Sequence, residues 1–191
     1  MKKILALICC LACVFCLSSC TYTKRGLENF SPWESEYRLT SRVPESLINA
    51  KQYISGEYLF QYRSILSYFE KFILWLEYDE ELYDKAKETS FYDNRIYADS
   101  DTPEITINSY EFYLSRYENS FEKLYPDQTI YLYVAVNDSE GIVCFLGLIS
   151  SYSENKKESE RIDNLYETEG LKGIIDEYFI EWYDFYATNN A

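Results

Sequence analysis

Two apolar runs separated by a short polar break constrain this chain more than any other stretch. In Thr129 to Val136, Ile130, Leu132, Val134 and Val136 recur at every second position, and Tyr131, Tyr133 and Ala135 take the places between them. Ile142 to Ile149 is apolar almost throughout, and Asn137-Asp138-Ser139-Glu140-Gly141 supplies turn formers between the two runs. Alternation with a period of two belongs to extended backbone, and a break of this composition lets the chain double back, so the stretch predicts a β-hairpin.

Other segments supply partners for that hairpin. Tyr58, Phe60 and Tyr62 alternate with Glu57, Leu59, Gln61 and Arg63. Phe69 to Tyr78 places Phe72, Leu74 and Leu76 on one face and Phe69, Ile73 and Trp75 on the other, which predicts a central strand covered on both sides. Short apolar runs are ambiguous by period alone, and one continuous helix from about Gly56 to Glu88 is the alternative reading. Ile105 to Leu114 returns to alternation and predicts a further strand.

Three segments predict helices. Val43-Pro44-Glu45-Ser46, entered through Ser41 or Val43, has the proline and the acid of a helix start; Leu47, Ile48, Tyr53 and Ile54 give an apolar face, and Ser55-Gly56 an end. Asp79 reads as an N-cap followed by Glu80 and Glu81, with Leu82, Tyr83 and Ala86 turned to the core and an end near Ser90. From Glu169 to Tyr186, Leu171, Ile174, Ile175, Tyr178, Trp182 and Phe185 recur at helical spacing, although Gly170 and Gly173 weaken the first turn. The charged stretch Ser153 to Asn164 reads as a solvated loop or a helix start, and Asn119 to Gln128 as a connection. Strands joined by short links imply an antiparallel sheet. The expected fold class is therefore α+β, with about four to five strands and two to three covering helices, the last amphipathic and C-terminal, in a single domain over residues 41–191.

Ahead of that domain stands a segment of a different kind. Met1-Lys2-Lys3 is a short positive head, Ile4 to Cys16 an apolar run too short to cross a bilayer, and Leu17-Ser18-Ser19-Cys20 a small-residue stop. The plan is that of a secretory signal peptide, and Leu17-Ser18-Ser19-Cys20 resembles the lipobox of bacterial lipoproteins. The resemblance implies that residues 1–19 are removed and that Cys20 becomes a lipidated first residue, carrying at least two acyl chains such as palmitate. It also implies an extracytoplasmic location, at the cell membrane or the outer membrane. Two or more chains hold a protein stably where one does so only marginally. Residues 20–40 are polar without sustained period and read as the lipidated end and a tether, with Trp33 near it.

Composition narrows the chemistry. Lys and Arg total 18 against 32 Asp and Glu, and the leader takes away two lysines and no acid. So acidic a domain repels the phosphate backbone, which excludes nucleic acid as a partner. There is no histidine, hence no Ser-His-Asp or Cys-His arrangement. Of six cysteines, Cys9, Cys10, Cys13 and Cys16 lie in the leader's apolar run. With Cys20 lipidated, Cys144 has no disulfide partner, and between Val143 and Phe145 it reads as an inert core thiol.

What remains are carboxylates and tyrosines. Glu177 and Glu181, one helical turn apart, are the candidate pair for a glycosidase-like hydrolase, although that spacing opposite an apolar stripe ordinarily marks a wet face. Asp99, Asp101 and Glu104 alternate oxygen side chains as a calcium loop does, but lack its glycine and distal bidentate Glu. Tyr58, Tyr62, Tyr110, Tyr113, Tyr131, Tyr133, Tyr178, Tyr183 and Tyr186 could form an aromatic recognition surface for a glycan or protein, or fill a core with their hydroxyls at its rim. Trp75 and Trp182 lie on apolar periods and read as core. The sequence therefore predicts a lipid-anchored binding or interaction module rather than an enzyme, with Cys20 as its one assigned site. No metal or cofactor is expected beyond the covalent lipid, and a glycan-binding lipoprotein is the alternative.

Overall fold

The computed structural model describes residues 21–30, 43–44, 46–49, 53–63, 69–92, 97–98, 103–116 and 128–189. Their elements are strand β1 (Thr21–Arg25), a 3-10 turn at Leu27–Asn29, α1 (Ser46–Asn49), β2 (Tyr53–Arg63) and β3 (Phe69–Tyr78). Then come α2 (Glu80–Tyr92), β4 (Tyr97–Ala98), β5 (Ile105–Ile107), β6 (Tyr110–Arg116), β7 (Gln128–Asn137), β8 (Ile142–Ser151), α3 (Tyr152–Tyr178) and α4 (Ile180–Asn189). All pairings are antiparallel, in the order β1-β2-β3-β8-β7-β6-β4, with β5 sharing the outer side of β6 with β4.

The expected mixture of helices on an antiparallel sheet is present, but the sheet is larger than the four to five strands expected. Two of the extra strands have identifiable causes. β1 lies in the segment assigned to the tether: Tyr22 pairs Tyr62, Lys24 pairs Phe60, and the Gly26 amide donates to the Tyr58 carbonyl at 2.9 Å. The single strand expected over Ile105–Leu114 is a hairpin, because Asn108 (φ 50°) and Ser109 (φ 68°) both adopt the left-handed conformation of a tight two-residue turn. Residues 31–40 of the expected tether, Trp33 among them, and Ser41 lie outside the described residues.

The β7–β8 hairpin forms as expected, from Asn137 opposite Ile142 to Gln128 opposite Ser151. The helix expected from Pro44 to Gly56 does not: α1 ends at Asn49, and Tyr53 to Gly56 already belong to β2. The alternative of one helix over Gly56–Glu88 is overturned by β2 and β3, which pair from Tyr53 opposite Tyr78 to Arg63 opposite Phe69. Asp79 caps α2 as expected, its Oδ1 accepting the Leu82 amide at 3.0 Å.

Helices cover both faces of the sheet. Phe72, Leu74, Leu76 and Tyr78 of β3 pack with Val134 and Val136 of β7, with Tyr83 and Ala86 of α2, and with Val43 and Leu47. On the opposite face Ile73 and Trp75 pack with Tyr133, Leu146 and Leu148 and with Ile162, Ile174, Phe179 and Trp182 of the C-terminal helices. The period-two alternation of β3 thus feeds two separate cores, one per face. Each fully buried large apolar side chain contributes about 1.5–3 kcal/mol.

The C-terminal helix departs most from expectation. Helix begins at Tyr152, just ahead of the charged stretch, which is helical throughout, and the chain reverses at Gly170 (φ 65°). Sixteen residues of straight helix would put Arg161 and Glu177 about 24 Å apart. Instead the Arg161 guanidinium donates to the Glu177 carboxylate, and it also stands 6.0 Å from the Tyr178 ring centre. A left-handed residue in the middle of a helix folds the two arms together. A second break at Phe179 separates α4, which the Tyr183 hydroxyl ties back by donating to Asp176 Oδ1 at 2.7 Å.

Candidate functional site

At the end of the sheet where β3 passes into α2 and β7 turns into β8, the described residues enclose a cleft of about 540 Å³. Its floor is backbone. The Tyr78 amide donates to the Gly141 carbonyl at 2.9 Å, and Gly141 has φ 67° with space for no side chain, since a Cβ would lie 2.7 Å from the Tyr78 carbonyl oxygen. Asn137 Oδ1 accepts both the Ser139 amide (3.1 Å) and the Ser139 hydroxyl (2.7 Å), which fixes the turn ahead of Gly141.

The turn holds Asp138 against α2. Tyr83 and Lys87, four residues apart and therefore on one helix face, both donate to Asp138 Oδ1, each at 2.6 Å. Partial burial acts to raise the Asp138 pKa, but the hydrogen bonds from Lys87 and Tyr83 and the Lys87 charge outweigh it and hold the carboxyl below its usual value. The Tyr83 phenol is pushed far up by burial, by its bond to Asp138 and by the charges of Asp138, Asp84 and Glu111, so it remains a protonated donor. Glu80, Asp84 and Glu140 complete the lining and leave Lys87 as the one cation among the residues that form it. The cleft thus presents carboxylates and a fixed phenol to a ligand, a surface suited to cationic or hydroxylated groups.

A shallower depression of about 450 Å³ lies at the α3 reversal, between Arg161, Leu165 and Glu177. It contains Glu177 but not Glu181. The proposed pair is not brought together: Glu177 is engaged by Arg161, whereas Glu181, beyond the Phe179 break, receives the Lys71 ammonium from β3. The expectation that they share one helix fails for that reason.

The remaining candidates fall as follows. Cys20, Asp99, Asp101 and Trp33 lie outside the described residues. Glu104 Oε1 accepts the Tyr166 hydroxyl at 2.7 Å, and no group of three acidic or thiol side chains suited to a metal ion forms among the described residues. Tyr58, Tyr110, Tyr113, Tyr133 and Tyr178 are buried, Tyr62, Tyr131 and Tyr183 half-buried, and the Tyr186 side chain lies outside the description. The tyrosines are mainly core and rim, as Trp75 and Trp182 are core. The Trp75 indole N–H donates to the Tyr110 hydroxyl at 3.1 Å, which satisfies two large polar side chains within the core. Cys144 is fully buried, and burial pushes its thiol well up. Tyr83 read as core and Asp138 as a turn residue; the spacing of Tyr83 and Lys87 was visible, but their partner is more than fifty residues away.

No protein-family model, curated protein or solved structure significantly matches the chain.

Proposed function

We propose that this protein is an extracytoplasmic bacterial lipoprotein, anchored by lipid on Cys20, whose domain is a binding module and not an enzyme. The observation that carries the reading is Leu17-Ser18-Ser19-Cys20 at the end of a positive head and short apolar run, immediately ahead of the first strand of the domain. The leader is cut before Cys20, and the acyl chains fix the domain to the cell membrane or the outer membrane. The covalent lipid is the one prosthetic group this reading requires. Support for binding over catalysis comes from the absence of histidine in the chain and the separate pairing of Glu177 and Glu181. The cleft around Asp138 is the contact site for a protein partner.

Cys20→Ser tests the anchor. In cells expressing both forms, the unsubstituted protein partitions into detergent and sediments with membranes, while the variant appears in the soluble fraction. Membrane retention of the variant without detergent sinks the reading. For the cleft, crosslinking from Ser139→Cys in intact cells captures a defined partner that the same variant carrying Asp138→Lys as well fails to capture; equal capture by the single and the double variant sinks the assignment of the contact site.

A further inference from the structure

We infer that the Thr21 corner of β1 is the membrane-facing surface of the domain, with Tyr22 and Lys24 at the headgroups and the Asp138 cleft turned away from the bilayer. The inference rests on the lipoprotein reading above and adds an orientation to it. Cys20 is bonded directly to Thr21, the first residue of β1. One residue of extended chain spans at most about 3.6 Å, so a lipid on Cys20 reaches the edge strand with no spacer between them. β1 is held along its whole length by β2, from Thr21 opposite Arg63 to Arg25 opposite Leu59. An anchor attached to a paired strand holds the whole sheet.

The side chains of that corner suit an anionic surface. Tyr22 is 46 % exposed, and the Lys24 ammonium stands 5.7 Å from its ring centre. Tyrosine at headgroup depth combines an apolar ring with a polar tip, and basic residues beside it are attracted to anionic lipid. β1 also carries Arg25, and it has no acid. The cleft has the opposite character, with Glu80, Asp84, Asp138 and Glu140 around Lys87. An anionic bilayer repels that end.

Register places the two ends far apart. Thr23 is level with Gln61, Lys71 and Leu148 on successive strands. Along β8 the chain from Leu148 to Ile142, where the cleft's turn joins, spans about 20 Å, and crossing from β1 to β8 adds three inter-strand steps of about 4.8 Å each. The cleft is diagonally opposite the anchor. Whether the sheet stands on its end or leans on its edge, the cleft remains clear of the headgroups.

The test uses the full lipidated chain purified from membranes and reconstituted in vesicles of phosphatidylethanolamine and phosphatidylglycerol. A fluorophore is placed on Thr23→Cys in one preparation and on Ser139→Cys in another; Cys144 is buried and does not compete. Lipids bearing a headgroup nitroxide are expected to quench the Thr23 label at least threefold more than the Ser139 label, and Tyr22→Glu with Lys24→Glu is expected to reduce that ratio. Equal quenching of both labels in protein that floats with the vesicles means that the domain hangs freely, and overturns the orientation while leaving the anchor intact. Protein that fails to float with the vesicles overturns the lipoprotein reading, and the orientation with it.

Discussion

The Lys71 ammonium lies between the two carboxylate oxygens of Glu181, at 3.1 and 2.9 Å, and this contact joins the central strand to the last helix across 110 residues of sequence. Both side chains are largely shielded, 8 % and 17 % exposed. Breaking such a pair from one side strands the other charge, which costs about 3–5 kcal/mol when fully buried. Glu181→Ala is expected to lower stability to urea by ~2–4 kcal/mol. Lys71→Met combined with Glu181→Leu should recover most of the loss, because the desolvation cost disappears with both charges. A double variant as unstable as the single one would contradict this account.

The Asp138 contacts make a modest contribution that depends on pH. Its carboxyl titrates below the usual value because Lys87 and Tyr83 together outweigh the effect of burial. A depressed carboxylate pKa stabilises the fold above the unfolded value near 3.8 and loses that effect as pH falls through the folded value. Asp138 is exposed, so solvent screening limits the pair to below about 1 kcal/mol. Asp138→Asn should therefore cost up to about 1 kcal/mol at pH 7 and flatten the stability curve below about pH 4, where the two proteins converge. Chemical denaturation across pH 2–7 measures the difference.

Two glycines with nearly the same φ should respond differently to alanine. At Gly170 (φ 65°) a Cβ would meet nothing within 4 Å, so only the left-handed backbone opposes it, at about 1–2 kcal/mol. At Gly141 (φ 67°) the same change also drives a methyl against the Tyr78 carbonyl, 2.7 Å away. Gly141→Ala should be the more destabilising of the two, in thermal melts and by shifting the turn that holds Asp138. The reverse order would mean that the helix reversal tolerates strain less well than the turn.

Cys144 should not react with a thiol reagent in the native protein at neutral pH. Burial both excludes the reagent and pushes the thiol well up. In the mature chain, with residues 1–19 removed and the Cys20 thiol blocked by lipid, labelling should be negligible until denaturant is added and then reach one thiol per chain.

Legibility in the sequence followed the range of the interactions. The β7–β8 hairpin and the Asp79 cap are specified by neighbouring residues, and both could be read directly. β1 could not: Thr21-Tyr22-Thr23-Lys24-Arg25 is polar because it forms an edge, and only pairing with β2 makes it a strand. The turn at Asn108-Ser109 lacks the glycine that advertises a tight hairpin, so β5 and β6 read as one strand. Gly170 was seen to weaken a helix, but its reversal of the chain depends on contacts between the two arms, such as Arg161 with Glu177. The same holds for the cleft. Tyr83 and Lys87 carry no signal until a turn from a distant hairpin delivers Asp138 to them.

The position of β3 in the sheet has a consequence for how the chain acquires its shape. β3 is flanked by β2, its neighbour in sequence, and by β8, which begins more than sixty residues later and meets it from Phe69 opposite Ser150 to Glu77 opposite Ile142. Closing so long a loop delays the pairing and slows folding. Until β8 and the helices after it are in place, Phe69–Tyr78 has one bare hydrogen-bonding edge and lacks its cover from α3 and α4. A chain cut short before that point would be a sticky, aggregation-prone half-sheet.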